Sequence, residues 1–175
     1  MITINPPALT AWEFPDDALA GKAAFIAQWD DQIERWIRAY ALTMRELVAP
    51  LIAANKVAPQ HCYVDLSCMS DATQKVVVDE IVAGGVEVTI GTSPAGPEFI
   101  AHTKSIIAVN GDCWEGSTNF SESAWRQVNT AFQFNSISWA QMMVEAFNRD
   151  VVYAWANCAS DQLMSAQPTA NTIPS

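Results

Sequence analysis

The chain has 175 residues, half of them hydrophobic and only 16% charged, which predicts one folded domain and excludes a disordered or coiled-coil protein. Nineteen acidic residues against nine basic ones give a net charge of −10, so few cations are present to neutralise the phosphates of long nucleic acids. Because the sequence has neither a secretory leader nor the roughly 20 apolar residues that span a bilayer, we expect a cytoplasmic protein without stable membrane insertion.

The first third of the chain is predicted to alternate between helix and strand. Prolines punctuate residues 1–17, which we expect to form an extended N-terminal arm. Apolar residues at helical spacing predict a helix from Ala18 to Ile33. Residues 36–42 favour a strand, because the capping box at Thr43–Glu46 would start a new helix that runs from Met44 to Asn55.

The remaining elements continue this alternation up to a polar tail. They are strands at 62–67, 86–90, 105–109 and 129–134, a helix at 72–83 capped by Asp71, and a long helix to about Ala156 capped by Ser136. This order implies right-handed crossovers and an α/β sheet covered by helices on both faces. Residues 158–175 are small, polar and proline-containing, so we expect a largely disordered tail after a domain at 18–157.

The cysteines give no sign of a metal centre. Cys62, Cys68, Cys113 and Cys158 are scattered, without a C-x-x-C pair or histidines at ligand spacing. We therefore expect reduced thiols, no metal site and no cofactor.

One segment combines groups that suit phosphoryl transfer. His102 and Lys104 are two residues apart at the start of a predicted strand, so their side chains share a face. Residues 116–119 (G-S-T-N) follow a glycine-containing turn and could return to the same place. An imidazole can attack phosphorus to form a phosphohistidine, and an ammonium, a hydroxyl and an amide can hold the non-bridging oxygens.

The pattern H-x-K, followed twelve residues after the lysine by G-S-x-N, resembles the signature of the phospholipase D superfamily. Residues 36–43, 84–88 and 124–129 also resemble segments of that family, so the likeness covers roughly 18–157. It implies a phospholipase D-like fold, with a mixed, largely parallel sheet sandwiched between helices. The single motif is similar to that of the compact bacterial endonuclease-type members.

The resemblance also implies roles for individual residues. His102, Lys104 and Asn119 would be catalytic, with His102 as the nucleophile, and Lys104, Ser117 and Asn119 would bind the substrate phosphate. Family members bring two such motifs face to face, whereas His61 here is followed by Cys-Tyr and cannot supply a second one. The resemblance therefore implies a homodimer that shares one site.

Two positions depart from the family pattern. Val109 stands where the family has an aspartate, and Thr130 stands where several members have an acid that orients the histidine. The first change bears on local loop geometry, and the second leaves His102 less firmly fixed. Trp114 and Trp125 flank the motif and either pack in the core or stack on a base or a lipid headgroup.

Three functions remain open from the sequence. The first is a metal-independent phosphodiesterase that uses a phosphohistidine, with a nucleic acid favoured over a phospholipid as substrate. The second is a phospholipase D-type phospholipid hydrolase. The third is a catalytically weakened relative that serves as a binding or assembly module, which the departures at Val109 and Thr130 would favour.

Overall fold

A single sheet of seven strands organises the part of the chain that the computed structural model describes, residues 9–158, with side chains to residue 156. The strands are β1 (Leu9–Phe14), β2 (Arg35–Ala39), β3 (Gln60–Asp65), β4 (Glu87–Gly91), β5 (Ser105–Ala108), β6 (Asp112–Gly116) and β7 (Asn129–Asn135). The helices are α1 (Ala18–Ala27), α2 (Val48–Asn55), α3 (Ala72–Ala83) and α4 (Ile137–Cys158). Short 3-10 turns lie at Arg45–Leu47, Leu66–Ser70 and Ala124–Arg126.

The sheet is mixed, as predicted, but its pairings are mostly antiparallel rather than largely parallel. Its order is β1-β7-β6-β5-β2-β3-β4, and only the β2–β3 and β3–β4 pairs are parallel. The kinds of connection differ accordingly. Helical crossovers join β2 to β3 and β3 to β4, whereas residues 109–111 turn the chain from β5 into β6, and residues 117–128, with only a short 3-10 turn, lead from β6 into the antiparallel β7.

Helices cover both faces of the sheet, which confirms the predicted α/β sandwich. The core on one face is formed with α1, α2 and α3, whose buried side chains include Phe25, Leu51 and Val77. The core on the other face is formed with α4 alone, through residues such as Val144 and Phe147. Strand residues alternate between these cores, because successive side chains of a strand point to opposite faces.

The two capped helices begin where the sequence predicts. The Asp71 carboxylate accepts hydrogen bonds from the N–H groups of Thr73 (2.7 Å) and Gln74 (3.0 Å) at the start of α3. The Ser136 hydroxyl accepts one from the N–H of Trp139 at 3.3 Å as α4 begins. Both cap predictions are therefore confirmed.

The two earlier helices are shorter than predicted. Helix α1 ends at Ala27 rather than Ile33, and Gln32 in the following loop has a positive φ of 53°. Helix α2 starts at Val48 after a 3-10 turn, without the side-chain cap expected from Thr43. Pro50 falls within the first turn of this shorter helix, where the missing N–H of proline has no helical acceptor.

Strands β1 and β6 were not predicted. Residues 9–14, which belong to the expected N-terminal arm, pair with β7 at the edge of the sheet and bury Phe14. The segment expected to be only a turn before Gly116 contains β6, which starts after Gly111 turns the chain with a φ of 90°. Of the predicted disordered tail, all but Cys158 lies outside the described residues.

Two further sequence expectations concern thiols and membranes. Cys62, Cys68 and Cys113 are free, as expected. Within residues 9–158, none of the helices combines the length and the apolar character that crossing a bilayer requires.

Candidate active site

The two halves of the motif meet at one end of the sheet, where β5 begins and β6 ends. Ser105 at the start of β5 is paired with Glu115 near the end of β6, and the N–H of Gly116 donates to the carbonyl of Lys104 at 3.3 Å. His102 and Lys104 therefore enter the sheet beside the point where residues 117–119 leave it. The hypothesis that the G-S-T-N segment returns to His102 and Lys104 agrees with this register.

Asn119 is held in place by its neighbour in the chain. The backbone of Phe120 forms a bridge with Leu42, donating to the carbonyl of Ala41 (3.0 Å) and accepting from the N–H of Thr43 (2.9 Å). The loop after β6 is thereby tied to the loop after β2. Because the Phe120 side chain is fully buried as well, Asn119 has little freedom to move away from the site end of the sheet.

His102 is an exposed histidine with an aromatic neighbour. Its ring lies edge-on to the ring of Tyr40, with 4.6 Å between the ring centroids. Desolvation and the nearby Lys104 ammonium lower the pKa of His102 below its usual value, and Asp65 opposes them. A lowered pKa keeps the imidazole neutral near pH 7, which is the form that can attack phosphorus.

Lys104 is almost completely buried, with 3% of its surface exposed. Its ammonium donates a hydrogen bond to the carbonyl oxygen of His102 at 2.7 Å and lies 5.1 Å from the centre of the Tyr40 ring. Burial lowers the pKa of Lys104 to about 8. The charge that would stabilise a phosphate is thus held by a backbone carbonyl and an aromatic face rather than by a carboxylate.

The three polar side chains of the G-S-T-N segment differ in their hydrogen bonds to the rest of the fold, and the Thr118 hydroxyl donates to the carbonyl of Thr130 at 3.4 Å. The Ser117 hydroxyl donates to Asn129 Oδ1 at 3.1 Å and accepts from the N–H of Thr130 at 3.0 Å, so it ties β6 to β7. The Asn119 Oδ1 atom is buried without a hydrogen-bond donor among the described residues. Ser117 therefore has a structural task, whereas no described residue engages the Asn119 Oδ1 atom; an asparagine would bind phosphate oxygens through its Nδ2–H groups, because Oδ1 only accepts hydrogen bonds.

Glycine at position 116 is required by a close approach of two strands. A Cβ atom at Gly116 would lie 2.3 Å from the carbonyl oxygen of Thr130 and 2.8 Å from the Cα atom of Ala131. Any larger residue would push β7 away from β6 and displace the residues that follow. The first residue of the G-S-T-N segment is thus explained by packing rather than by chemistry.

The two departures from the family pattern lie in different places. Val109 follows the far end of β5, about 13 Å along the strand from Ser105 at 3.3 Å per residue, so its side chain is remote from His102. The turn there is formed without an aspartate at 109, through the Asn110 amide, which donates to Asp112 at 2.8 Å. Thr130 is exposed at the site end, and neither ring nitrogen of His102 has a hydrogen-bond partner among residues 9–156.

Asp65 is a site residue that the sequence reasoning missed. It ends β3, is fully buried, and accepts hydrogen bonds from the N–H of Ser67 (2.9 Å) and from the N–H of Ala101. Its carboxylate therefore fixes the backbone of the residue next to His102. The sequence feature that could have pointed to Asp65 is an acidic residue directly after an apolar strand. That strand finishes at the end of the sheet where the motif begins.

The alternative that Trp114 and Trp125 stack on a substrate is wrong. Their side chains are 1% and 3% exposed, and both belong to the core on the α1–α3 face, where each ring contacts Phe25. Neither ring has a free face for a base or a headgroup. Within the described part of the chain, no three His, Cys, Asp or Glu side chains form a group that could hold a metal ion.

The chain resembles known proteins in its fold, as shown by solved structures. No protein-family model and no curated protein matches this sequence. Among solved structures, the chain resembles Nuc from Salmonella typhimurium, described as a phospholipase D family member, with a TM-score of 0.72 and 19% identity over 82% of this chain and 93% of that one. It resembles NucT from Helicobacter pylori with a TM-score of 0.71 and 12% identity over 83% and 96% of the two chains.

A larger protein contains the same unit. Phosphatidylserine synthase from Haemophilus influenzae matches with a TM-score of 0.57 and 11% identity over 85% of this chain, although the chain spans only 40% of the synthase. The chain therefore has the fold of phospholipase D family proteins, which confirms the resemblance predicted from the motif at the level of the fold.

Proposed function

We propose that the protein is a metal-independent phosphodiester hydrolase in which His102 attacks phosphorus and forms a covalent phosphohistidine. The observation that carries this proposal is the register of β5 and β6, which brings His102, Lys104 and Asn119 to one end of the sheet. The fold shared with Nuc, described as a phospholipase D family member, and with NucT supports the coarser part of the proposal, a phosphodiesterase-type reaction.

Each residue has a step in the proposed reaction. The neutral imidazole of His102 displaces the leaving oxygen, and water then releases the phosphoryl group from the histidine. The Lys104 ammonium and the Asn119 amide stabilise the charge that develops on the non-bridging oxygens. Since an organic cation and an amide supply this stabilisation, we expect EDTA to leave the rate unchanged.

We further propose that two copies of the chain form the complete site. A leaving oxygen needs a proton, and His102 cannot attack and protonate in the same step. The chain offers no second histidine for the task, because His61 follows the start of β3 at the opposite end of the sheet. A two-fold axis beside His102 would supply the partner's His102, which in its protonated form gives the leaving oxygen its proton.

A nucleic acid is the favoured substrate, and a phospholipid is the alternative. Exposed apolar side chains near the site support the alternative, namely Leu66, Phe99 and Ile100, as does the fold shared with a phosphatidylserine synthase. A third candidate, a weakened binding module, is supported by Thr130 in place of the acid and by the engagement of the Ser117 hydroxyl.

The test is hydrolysis of four substrates side by side, with and without EDTA: a bis-aryl phosphodiester, plasmid DNA, RNA and phosphatidylcholine vesicles. We expect hydrolysis of the aryl ester and of at least one nucleic acid, insensitive to EDTA, and an acid-labile phosphoryl adduct on His102 in quenched samples. If none of the four substrates is hydrolysed, the hydrolase is refuted and the binding module becomes the remaining candidate function. Sedimentation that gives only monomer at assay concentration would refute the shared site.

A further inference from the structure

A cavity of about 240 Å³ opens directly beside His102, between the sheet and α4. Its lining includes His102 and Thr103 ahead of β5, Arg38 from β2, and Arg149 and Asp150 from α4. None of the catalytic steps described above uses this space. Its position makes it continuous with the surroundings of the attacking imidazole.

The cavity carries a local excess of positive charge in a strongly acidic chain. Arg38 Nη2 lies 2.8 Å from Asp150 Oδ2, and Arg149 Nη2 lies 3.0 Å from Asp150 Oδ1, so one carboxylate is shared by two guanidinium groups. Two of the nine basic residues of the chain thus line one small cavity next to His102. Desolvation by burial lowers the pKa of Arg38, and the charges of Asp150 and Glu115 oppose this only in part.

Arg38 also has donors that the described residues leave unused. Its side chain is 11% exposed, and its Nε and Nη2 atoms are buried without an acceptor in hydrogen-bond geometry, although Nη2 is close to Asp150. Buried guanidinium donors are normally satisfied, because leaving them unpaired costs free energy. An anion in the cavity, approached by a small rotation of the Arg38 side chain, would satisfy them.

We propose that this cavity is a second anion subsite, which holds a phosphate group of the substrate adjacent to the phosphodiester that His102 attacks. Two guanidinium groups that flank one space match the oxygens of a phosphate, and Arg149, 68% exposed, can turn towards it. A volume of about 240 Å³ accepts one phosphate and part of its sugar, not a duplex.

This inference rests on the proposed function and narrows its substrate. Among the candidate substrates, a single-stranded nucleic acid or a short oligonucleotide carries neighbouring phosphates and is small enough to place one of them in the cavity. Phosphatidylcholine instead carries a quaternary ammonium next to its phosphodiester, and the arginine pair would repel that cation. The net charge of −10 also agrees with a short single-stranded substrate, because such a strand has few phosphates for basic residues to contact.

Kinetics on three dinucleotides test the subsite. Thymidylyl-thymidine, its 5′-phosphorylated form and its 3′-phosphorylated form share one scissile bond and differ only in the added phosphate. We expect one phosphorylated form to have a lower KM than the parent, and Arg149→Gln to raise its KM about fivefold more than that of the parent. Arg45→Gln, which removes an arginine ion-paired to Glu80, is the matched control and should not alter this ratio. Equal KM values for all three substrates in the wild type would overturn the proposal.

A binding measurement separates failure of the subsite from failure of the proposed function. Inorganic phosphate is titrated into ¹⁵N-labelled protein, and the Nε–H signals of Arg38 and Arg149 are followed. Asp150→Asn, which removes the competing carboxylate at nearly constant shape, should tighten phosphate binding at these signals about fivefold. Signals that do not respond in either protein would refute the subsite even if hydrolysis is observed. A response without any hydrolysis would leave the subsite standing and reject the hydrolase.

Discussion

The two histidines of the chain lie at opposite ends of the same sheet and have opposite surroundings. His61, near the start of β3, is buried against Trp36, and its two ring nitrogens contact Glu87 Oε2 at 2.9 Å and Glu34 Oε1 at 3.0 Å. His102, ahead of β5, is exposed, and no carboxylate among residues 9–156 is hydrogen-bonded to its ring.

Their pKa values are shifted in opposite directions for this reason. Burial alone lowers the pKa of His61, but the hydrogen bonds to Glu87 and Glu34 outweigh it and raise the pKa above its usual value. Desolvation and Lys104 lower the pKa of His102. Two carboxylates on the ring favour the charged form of His61, whereas a neutral imidazole without such partners keeps a nitrogen lone pair free for attack.

Exchange of each histidine for glutamine is the sharpest way to break this comparison. We expect His102→Gln to lower kcat/KM for a bis-aryl phosphodiester at least about 1,000-fold, because the nucleophile is lost. We expect His61→Gln to leave kcat/KM within about twofold of the wild-type value at a temperature where both proteins are folded. If both variants lost the same fraction of kcat/KM, His102 would contribute only to the stability of the fold and not to the reaction.

Replacement of Asp65 by asparagine is expected to have the next largest effect on catalysis. In Asp65→Asn, the amide cannot accept from both Ser67 and Ala101, since its nitrogen would face an N–H donor. The backbone beside His102 then shifts, and we expect kcat to fall about 10- to 100-fold. Because the Asp65 charge raises the pKa of His102, the pKa of His102 should also fall in this variant.

An NMR titration of the two histidine rings separates the role of Asp65 from loss of folding. Asp79→Asn is the control, since it removes an exposed carboxylate paired with Lys75 on α3. The His102 titration should move in Asp65→Asn alone, while the His61 titration stays in place in both variants. A His102 titration identical to the wild type would contradict a positioning role for Asp65.

The buried lysine predicts a smaller effect, in the pH dependence of the reaction. Burial holds the pKa of Lys104 at about 8, and only its charged form stabilises the phosphate. The part of kcat/KM that depends on the Lys104 charge should therefore be lost as the pH rises through about 8, while neutral His102 should remain available for attack below pH 6.5. Bound phosphate favours the ammonium, so the decline in kcat should lie at a higher pH than that in kcat/KM. An alkaline limit near the ordinary lysine value would show that Lys104 is not buried in solution.

The contrast between the two histidines also shows which features could be predicted from sequence. Local signals were sufficient for Asp71 and Ser136 as helix caps, and a buried apolar run was sufficient for β5. The motif was sufficient to predict that residues 116–119 return to the end of the sheet where His102 and Lys104 lie. Its resemblance to a family is the source of the proposed chemistry.

Features made by distant parts of the chain could not be predicted in this way. Arg38 and Arg149 are brought together by the packing of α4 on the sheet, and no local pattern connects them. Strand β6 was overlooked because its five residues carry charged side chains at Asp112 and Glu115 on either side of a cysteine and a tryptophan. The alternative that Trp114 stacks on a substrate followed from that error. A turn would expose the Trp114 ring, whereas strand β6 buries it.

The smallest expected effect concerns stability at the His61 end. Because the pKa of His61 is raised on folding, the charged form stabilises the fold fully below the unfolded value near 6.5, and this contribution is lost as the pH rises through the folded value. Neutral imidazole has one N–H and can donate to only one of the two glutamates, so the other contact becomes unfavourable.

His61→Gln tests this mechanism, because its amide cannot gain a charge. We expect the variant to be less stable than the wild type by about 1–2 kcal/mol at pH 6, and by less than half of that at pH 9, in urea unfolding followed by tryptophan fluorescence. His102→Gln is the control and should alter the free energy of unfolding little at either pH, since its ring is exposed and unclamped. A difference between His61→Gln and the wild type that is the same at both pH values would mean that packing against Trp36, not the charge shared with Glu34 and Glu87, holds this end of the sheet together.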